Sequence, residues 1–355
     1  MLPLFAVDEI EVDGSFGEGG GQILRTAVAF SVIEGRAVHV TRIRAGREVP
    51  GLRQQHASTL RAVREVFGGE LRGADVGSSE VFFSPGGARV SSTVVDMRTA
   101  ASITLLLQAV IPAVALTHSA LALELKGGTD VPWSPTLDYL STVVAKAYGV
   151  LGISFSLKAT RRGYYPNGGG TVFAKVEPAV SVGLAEFGPP EGPASVNLIS
   201  RCAGLPRHVA ERQLESMERV LASSGIHVAS RTISEEQADS PGSSVLAAVT
   251  SGGRILGVDA IGARGKRAEE VGRDAAQRLV STLRSGAPVD ANLADMVTPL
   301  LSLARDPSNL IVPEVSLHLK TGLYVARLFT QCSYSWRDKG TASVVEVRPV
   351  PGHNA

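Results

Sequence analysis

A strand, a glycine-rich loop, a helix and two short strands recur along this chain of 355 residues. A unit of that size cannot bury the faces of its own helix and sheet, so its repetition implies copies packed around a shared core. The first copy starts with an alternating strand over 38–44 and a Gly/Pro loop. It continues with apolar residues at helical spacing over 52–67 and closes with strands at 70–72 and 81–84. The second has a strand at 120–126, the loop Gly-Gly-Thr-Asp-Val-Pro, a helix over 135–148, and strands at 153–158 and 171–176. A third places a strand at 311–318, a helix at 321–329, and strands at 333–336 and 342–348.

Between the second and third copies the character of the chain changes. The densest Pro/Gly stretch, Phe187-Gly-Pro-Pro-Glu-Gly-Pro193, opens a segment that ends near Ser285-Gly286. Within it the spacing predicts a strand (195–199), a helix (206–223), three strands (227–233, 244–250, 254–258) and a helix (267–283). A self-contained α/β insert is the simplest account. The expected organisation is therefore α/β (α+β): a large repeat-built domain of residues 1–186 and 287–355, and a small inserted domain of residues 187–286.

Composition narrows the function classes. Apolar residues make up 44%, charged residues 19%, and 35 basic against 34 acidic side chains leave a net charge of +1. These values exclude disorder, a coiled coil and a histone-like polycation, and they argue against non-specific binding along a polyanion. The longest apolar stretch, 103–116, is broken by Gln108 and Pro112. It falls short of the roughly 20 residues of a membrane span and reads as a buried helix. The first eight residues lack a basic segment, so no secretory signal is expected. Cys202 and Cys332 form no metal or disulfide spacing and suit a reducing, cytoplasmic setting. Only seven of the 35 basic residues are Lys; genomic base composition explains most of that bias, although Arg forks also grip phosphate.

Glycine is the outlier, with 38 residues where average usage of about 7% would give about 25. The excess lies in short clusters. In Asp13-Gly-Ser-Phe-Gly-Glu-Gly-Gly-Gly-Gln-Ile-Leu-Arg25, Gly19, Gly20 and Gly21 open an apolar-periodic helix, and N–H groups exposed at such a start attract anions. Glu18 beside them would repel a phosphate unless a divalent cation such as Mg²⁺ or Mn²⁺ lies between. The alternative is a glycine-rich turn with a solvated Glu.

A second cluster spans residues 42–56. Arg42 and Arg44 are expected on one face of a strand, Arg47 in the loop beyond, and Arg53 at the next helix start. They would converge on a phosphodiester or polyphosphate, or else form a solvated basic edge. Gln55 and His56, in the first helical turn, add neutral donors or face water. A third cluster, residues 161–172 (Arg-Arg-Gly-Tyr-Tyr-Pro-Asn-Gly-Gly-Gly-Thr-Val), is either a phosphate cradle or a wide turn between two strands.

The last cluster is Leu317-His-Leu-Lys-Thr-Gly322. His318 is expected to end a strand, with Thr321 capping the following helix. The dipole of that helix would hold the imidazole neutral, the form that attacks phosphorus. A purely structural histidine is the alternative. Asp295, on a helix read over 292–304, is assigned by residue type alone to orient the ring through its other nitrogen.

Together these pieces resemble the RNA 3′-terminal phosphate cyclases, over nearly the whole chain. The resemblance rests on Glu-Gly-Gly-Gly-Gln-Ile-Leu-Arg (18–25), Arg-Ala-Gly-Arg (44–47) with Pro-Gly-Leu and Gln-His following, and Gly-Gly-Thr-Asp (127–130). It continues through Arg-Gly-Tyr-Tyr-Pro-Asn-Gly-Gly-Gly (162–170), Pro-Arg-His-Val-Ala-Glu-Arg (206–212) and His-Leu-Lys-Thr (318–321). The family's fold would be a large domain of three βαβαββ-like units, akin to enolpyruvyl transferases, with a thioredoxin-like insert.

What the resemblance implies is an ATP-dependent cycle at RNA 3′-phosphate ends. His318 would take AMP from ATP, AMP would pass to the RNA 3′-phosphate, and the adjacent 2′-OH would close a 2′,3′-cyclic phosphate. Carried over by position, Glu18 becomes the ligand of Mg²⁺ or Mn²⁺. Gln22, Arg25, Arg44, Arg47 and Gln55 become phosphate and RNA-end contacts. Gly19, Gly20, Gly21, Gln108, Pro135, Asn292 and Asp295 become nucleotide contacts, with Pro135 on one adenine face. Two positions depart from the family: Asn292 stands where a Tyr commonly stacks on the adenine, and Gly322 replaces the usual Asn. A catalytically silent cyclase-like factor of ribosome assembly is the alternative, but its kind lacks the nucleophilic His and much of the Arg set. An enolpyruvyl-transferase-like protein would form no nucleotidyl-enzyme.

Overall fold

The structure, a computed structural model, describes residues 9–87, 91–183, 187–188 and 191–352. The leader reading of residues 1–8, the domain boundary at 186 and part of the Pro/Gly loop (189–190) fall outside the described residues.

Strands Glu9–Asp13 (β1) and Ala37–Thr41 (β2) pair in parallel, a geometry that requires a crossover between them. Helix Gly21–Glu34 (α1) supplies it. Helix Gln54–Phe67 (α2) leads to the short strands Glu70–Arg72 (β3) and Val81–Ser84 (β4), and the sheet order is β1-β2-β4-β3. Ser92–Asp96 (β5), Ile103–Leu116 (α3) and Leu121–Gly127 (β6) begin the next unit. A broken helix follows: Leu137–Tyr139 (α4), a π-helical turn at Leu140–Val144, then Ala145–Val150 (α5). Strands Phe155–Arg161 (β7) and Gly170–Val176 (β8) close a sheet of order β5-β6-β8-β7, the same pattern as the first.

Helix α3 is apolar nearly all round and buried along most of its length, as expected of a helix enclosed on all sides. Ser102 caps it by accepting from Leu105 N at 3.1 Å. Pro112 sits inside the helix, so the carbonyl of Gln108 loses its i→i−4 donor.

Ser195–Ala203 (β9), His208–Ser223 (α6), His227–Glu236 (β10), Gly242–Val249 (β11), Leu256–Ile261 (β12) and Ala268–Ser285 (α7) form a sheet of order β10-β9-β11-β12 covered by two helices. Strand β11 explains how this layer attaches to the rest. Val245, Ala247 and Val249 enter a core shared with α6 and α7, whereas Leu246 and Ala248 enter the main core. Its apolar run without alternation reflects burial on both faces.

The chain ends with Ala291–Val297 (α8), a 3₁₀ segment at Thr298–Leu303, Ser308–Val312 (β13), Leu317–Thr330 (α9), Ser333–Lys339 (β14) and Ala342–Arg348 (β15). The sheet has three strands, ordered β13-β15-β14. No helix among the described residues is long and apolar enough to cross a membrane.

Two local expectations are corrected. The strand read over 38–44 stops at Thr41, because its partner β1 ends at Asp13. Arg42 and Arg44 then turn the chain in left-handed conformations (φ 51° and 55°) instead of sharing a strand face. The strand read over 311–318 ends at Val312, and His318 lies in the first turn of α9. Ser316, not Thr321, is the cap, accepting from Leu319 N at 2.9 Å. The alternation of Val315, Leu317 and Leu319 mimics a strand, but the stripe of Leu319, Leu323 and Ala326 buries a helix face.

Candidate active site

A cavity of about 1040 Å³ brings together Gln22, Arg25, Gln108, Pro135, Asn292, Asp295 and His318. Four helices and the loop before α4 supply them, so no local stretch of sequence contains the site. Glu18 joins through His318, whose Nδ1 lies 2.8 Å from Glu18 Oε2. Arg44 and Gln55 do not line the cavity. The Gln55 amide is committed to Ser102, accepting from its N–H at 2.5 Å and donating to its carbonyl at 3.4 Å.

The glycine cluster forms the start of α1, with Gly20 as an extended cap and no side chain closing the end. A Cβ at Gly21 would stand 2.6 Å from His56 Nε2 and 3.0 Å from Arg25 Nη1, so glycine there admits the imidazole. His56 Nδ1 accepts from Arg53 N at 3.1 Å, which puts the ring proton on Nε2. Burial, then the guanidinium groups of Arg25, Arg44 and Arg53, push its pKa down to about 4. Sequence reasoning left His56 as a residue that adds a donor or faces water; its signal was the place beside Gln55 in a first helical turn.

Arg47 Nη2 donates to the Glu18 carbonyl at 2.8 Å and also contacts the Glu18 carboxylate. The His318 ring, above all, and Arg47 hold that carboxylate below its usual range, against the opposing effect of burial. The same contact raises the pKa of His318. The helix start was expected to keep this ring uncharged; the nearer carboxylate outweighs it. With Nδ1 turned to Glu18, Nε2 is the nitrogen left free.

Asp295 does not take the expected place on the imidazole. Its Oδ1 accepts from Ser316 Oγ at 2.5 Å, and burial pushes its pKa up to about 7. It therefore braces the cap of the helix that carries His318. The helix read over 292–304 divides into α8 and the 3₁₀ segment. Gly322 packs on that segment: a Cβ would lie 2.5 Å from Pro299 Cγ. The loop bearing Glu18 is fixed to the same helix, since Phe16 stacks on Tyr324 with centroids 4.0 Å apart. Asp13 N donates to Tyr324 Oη at 3.2 Å.

Arg25 feels the attraction of Glu18 without pairing with it. It makes no hydrogen bond or ion pair among the described residues, its Nε is buried, and desolvation draws its pKa down to about 10. Arg44 Nε is likewise unpartnered, whereas Arg42 is taken up by Asp13 at 3.0 Å. Of the expected Arg convergence, Arg47 and Arg53 remain close enough to Arg44 to repel it.

No three His, Cys, Asp or Glu side chains gather into a metal cage among the described residues. A hard dication held by one carboxylate and substrate phosphates needs no such cage. Glu18 supplies such a carboxylate: its Oε2 meets His318 Nδ1 as an ion-pair contact without a well-formed hydrogen bond, so it keeps acceptor capacity for a dication.

Within residues 161–172, the stretch 162–169 forms the turn between β7 and β8. Its Arg162 is buried between Asp130 (3.1 Å) and Asp138 (2.9 Å) and does not face a ligand. Arg201 reaches the same Asp138 at 2.7 Å and Glu236 at 2.6 Å, tying β9 and β10 to α4.

The model of the family described as RNA 3′-terminal phosphate cyclase matches residues 16–336. The RNA 3′-terminal phosphate cyclase of Methanopyrus kandleri is 42% identical over 350 residues, covering 96% of this chain and 99% of its own. Those of Archaeoglobus fulgidus and Thermococcus kodakarensis are 41% and 42% identical, each over 90% of this chain and 95% and 92% of their own.

Proposed function

Since this chain belongs to the RNA 3′-terminal phosphate cyclase family, we propose that it uses ATP to convert an RNA 3′-terminal phosphate into a 2′,3′-cyclic phosphodiester, with His318 carrying AMP between the two substrates. The observation that carries this reading is the unpaired Arg25 guanidinium, held in the cavity that His318 lines. Glu18 attracts this half-buried guanidinium but forms no ion pair with it, so its desolvated edge stays costly unless an anion comes to it. ATP and an RNA 3′-phosphate are such anions.

His318 Nε2 forms a bond to the α-phosphorus as pyrophosphate departs. A 3′-phosphate oxygen of the RNA then takes the AMP, breaking the N–P bond. The 2′-OH, losing its proton, attacks the 3′-phosphorus and releases AMP. Activation is needed because a phosphomonoester oxygen leaves poorly, and closure on one ribose gains high effective molarity. Glu18 orients the ring from Nδ1, Asp295 and Ser316 fix its helix, and Arg25 offsets phosphate charge. Gln22, donating to the His318 carbonyl at 3.2 Å, steadies the same turn. Glu18 is the residue that would hold Mg²⁺ or Mn²⁺, which supplies charge neutralisation on the phosphates.

Pro135 and Asn292 border the nucleotide in this reading, with Gly19, Gly20 and Gly21 as the anion-facing helix start and Arg44 and Arg47 as outer charges. Residues 187–286 act as an inserted domain, which their own apolar core supports. The buried, unpaired thiols of Cys202 and Cys332 suit a reducing cytoplasm. The test is incubation with α-labelled ATP and Mg²⁺ or Mn²⁺. An acid-labile protein–AMP adduct is expected, lost in His318→Ala, with a 3′-phosphorylated oligoribonucleotide becoming cyclic. Undiminished adduct in His318→Ala overturns the mechanism.

A further inference from the structure

Trp133 is 98% exposed. An indole is among the side chains that gain most from burial, so nothing in the fold rewards this placement. Its backbone is also in the left-handed region, at φ 67°, a conformation that a bulky residue rarely adopts. The loop beneath it is firmly tied. Ser134 Oγ donates to Val131 O at 2.8 Å, Thr104 Oγ1 donates to Pro135 O at 2.7 Å, and Thr136 N donates to Asp259 Oδ2 at 2.6 Å. A fixed loop thus holds a large ring in water, on the lining of the cavity that His318 shares.

Two further side chains on that lining are exposed in the same way. Tyr165, in the turn between β7 and β8, is 68% exposed. Arg264, in the loop after β12, is exposed and makes no hydrogen bond or ion pair among the described residues. Three separate loops, one of them from the inserted sheet, therefore present two aromatic rings and a free guanidinium at the rim of one cavity.

We infer that Trp133, Tyr165 and Arg264 form a stacking platform for the unpaired RNA bases just upstream of the 3′ end, where the strand leaves the cavity. The inference rests on the proposed cyclase activity. A 3′-phosphate that reaches Arg25 and His318 leaves the rest of its strand to pass outward over the rim. Exposed rings accept the π-face of any base, and Arg adds stacking or a phosphate fork. The platform grips single strands without reading sequence. ATP, contained inside the cavity, has no use for rings in bulk water.

The experiment compares the parent enzyme with Trp133→Ala, Trp133→Phe and Arg264→Ala on 3′-phosphorylated RNAs of two and about ten nucleotides. For the longer RNA, Trp133→Ala is expected to raise KM roughly 10-fold with kcat unchanged, and Trp133→Phe to recover most of the loss. KM for the dinucleotide and the rate of protein–AMP formation should stay at the parent values. Equal losses on both RNAs, or an unchanged KM on the longer one, overturn the platform. Slower protein–AMP formation would assign the ring to ATP instead and overturn it as well. A second measurement does not require turnover: in a Trp336→Phe background, binding of the longer RNA should quench Trp133 fluorescence. Quenching without cyclisation would retain the platform and reject the cyclase reading; no quenching would reject the platform.

Discussion

Ser316 donates its hydroxyl hydrogen to Asp295 Oδ1 across 2.5 Å while its oxygen caps α9 by accepting from Leu319 N. One side chain thus joins a buried carboxyl to the start of the helix that carries His318. Ser316→Ala should lower stability by about 1–3 kcal/mol, from the lost cap and the orphaned carboxyl. It should also slow protein–AMP formation, with Ser316→Thr close to the parent in both. Thermal melting and adduct kinetics check this. A destabilised variant with parent-like adduct kinetics would show that the cap does not position the ring.

Arg25 is a half-buried cation with no hydrogen bond or ion pair among the described residues, so the fold gains little from its charge. Arg25→Met should leave unfolding stability within about 1 kcal/mol of the parent, or above it. Adduct formation should fall about 10- to 100-fold, the worth of one charge-assisted hydrogen bond. A denaturant midpoint and an adduct time course separate the two effects.

His56 gives the site a pH signature. Its folded pKa, about 4, lies below the unfolded value of 6.5. The unfolded chain therefore binds a proton that the folded one refuses. Its contribution is fully present above about pH 6.5 and declines as pH falls toward 4, by up to about 3 kcal/mol. In His56→Asn that share of the slope should vanish, so urea midpoints of parent and variant should converge on acidification. A difference that is constant with pH would contradict the assignment.

Gly322 touches Pro299 too closely for any side chain. Restoring the family's usual residue with Gly322→Asn should destabilise the protein by about 1–3 kcal/mol through overpacking. The shift of the urea midpoint measures it. A neutral result would mean that the 3₁₀ segment yields.

Much of the architecture was legible before any coordinates. Helix 103–116 is legible from its apolar run, a local signal. Strands 70–72 and 81–84 were bounded correctly from local alternation and turn residues. Helix α9 was misread at its start because Val315, Leu317 and Leu319 alternate like a strand, and only burial of Leu319 against the core decides for a helix. Trp133 and Arg264 carried no motif at all; exposure at a shared rim is a property of the assembled molecule.

The sequence alone indicated helix 103–116, the strands over 70–72, 81–84 and 342–348, and the chemical inventory of Glu18, Arg25, Asp295 and His318. These depend on spacing and residue type within a few turns of chain. Tertiary structure alone decided the pairings: Glu18 with His318, Asp295 with Ser316, Arg42 with Asp13. Which charge meets which is set by how distant helix starts pack. Coulomb and desolvation effects at 3 Å outweigh the local helix field from which the sequence had to argue.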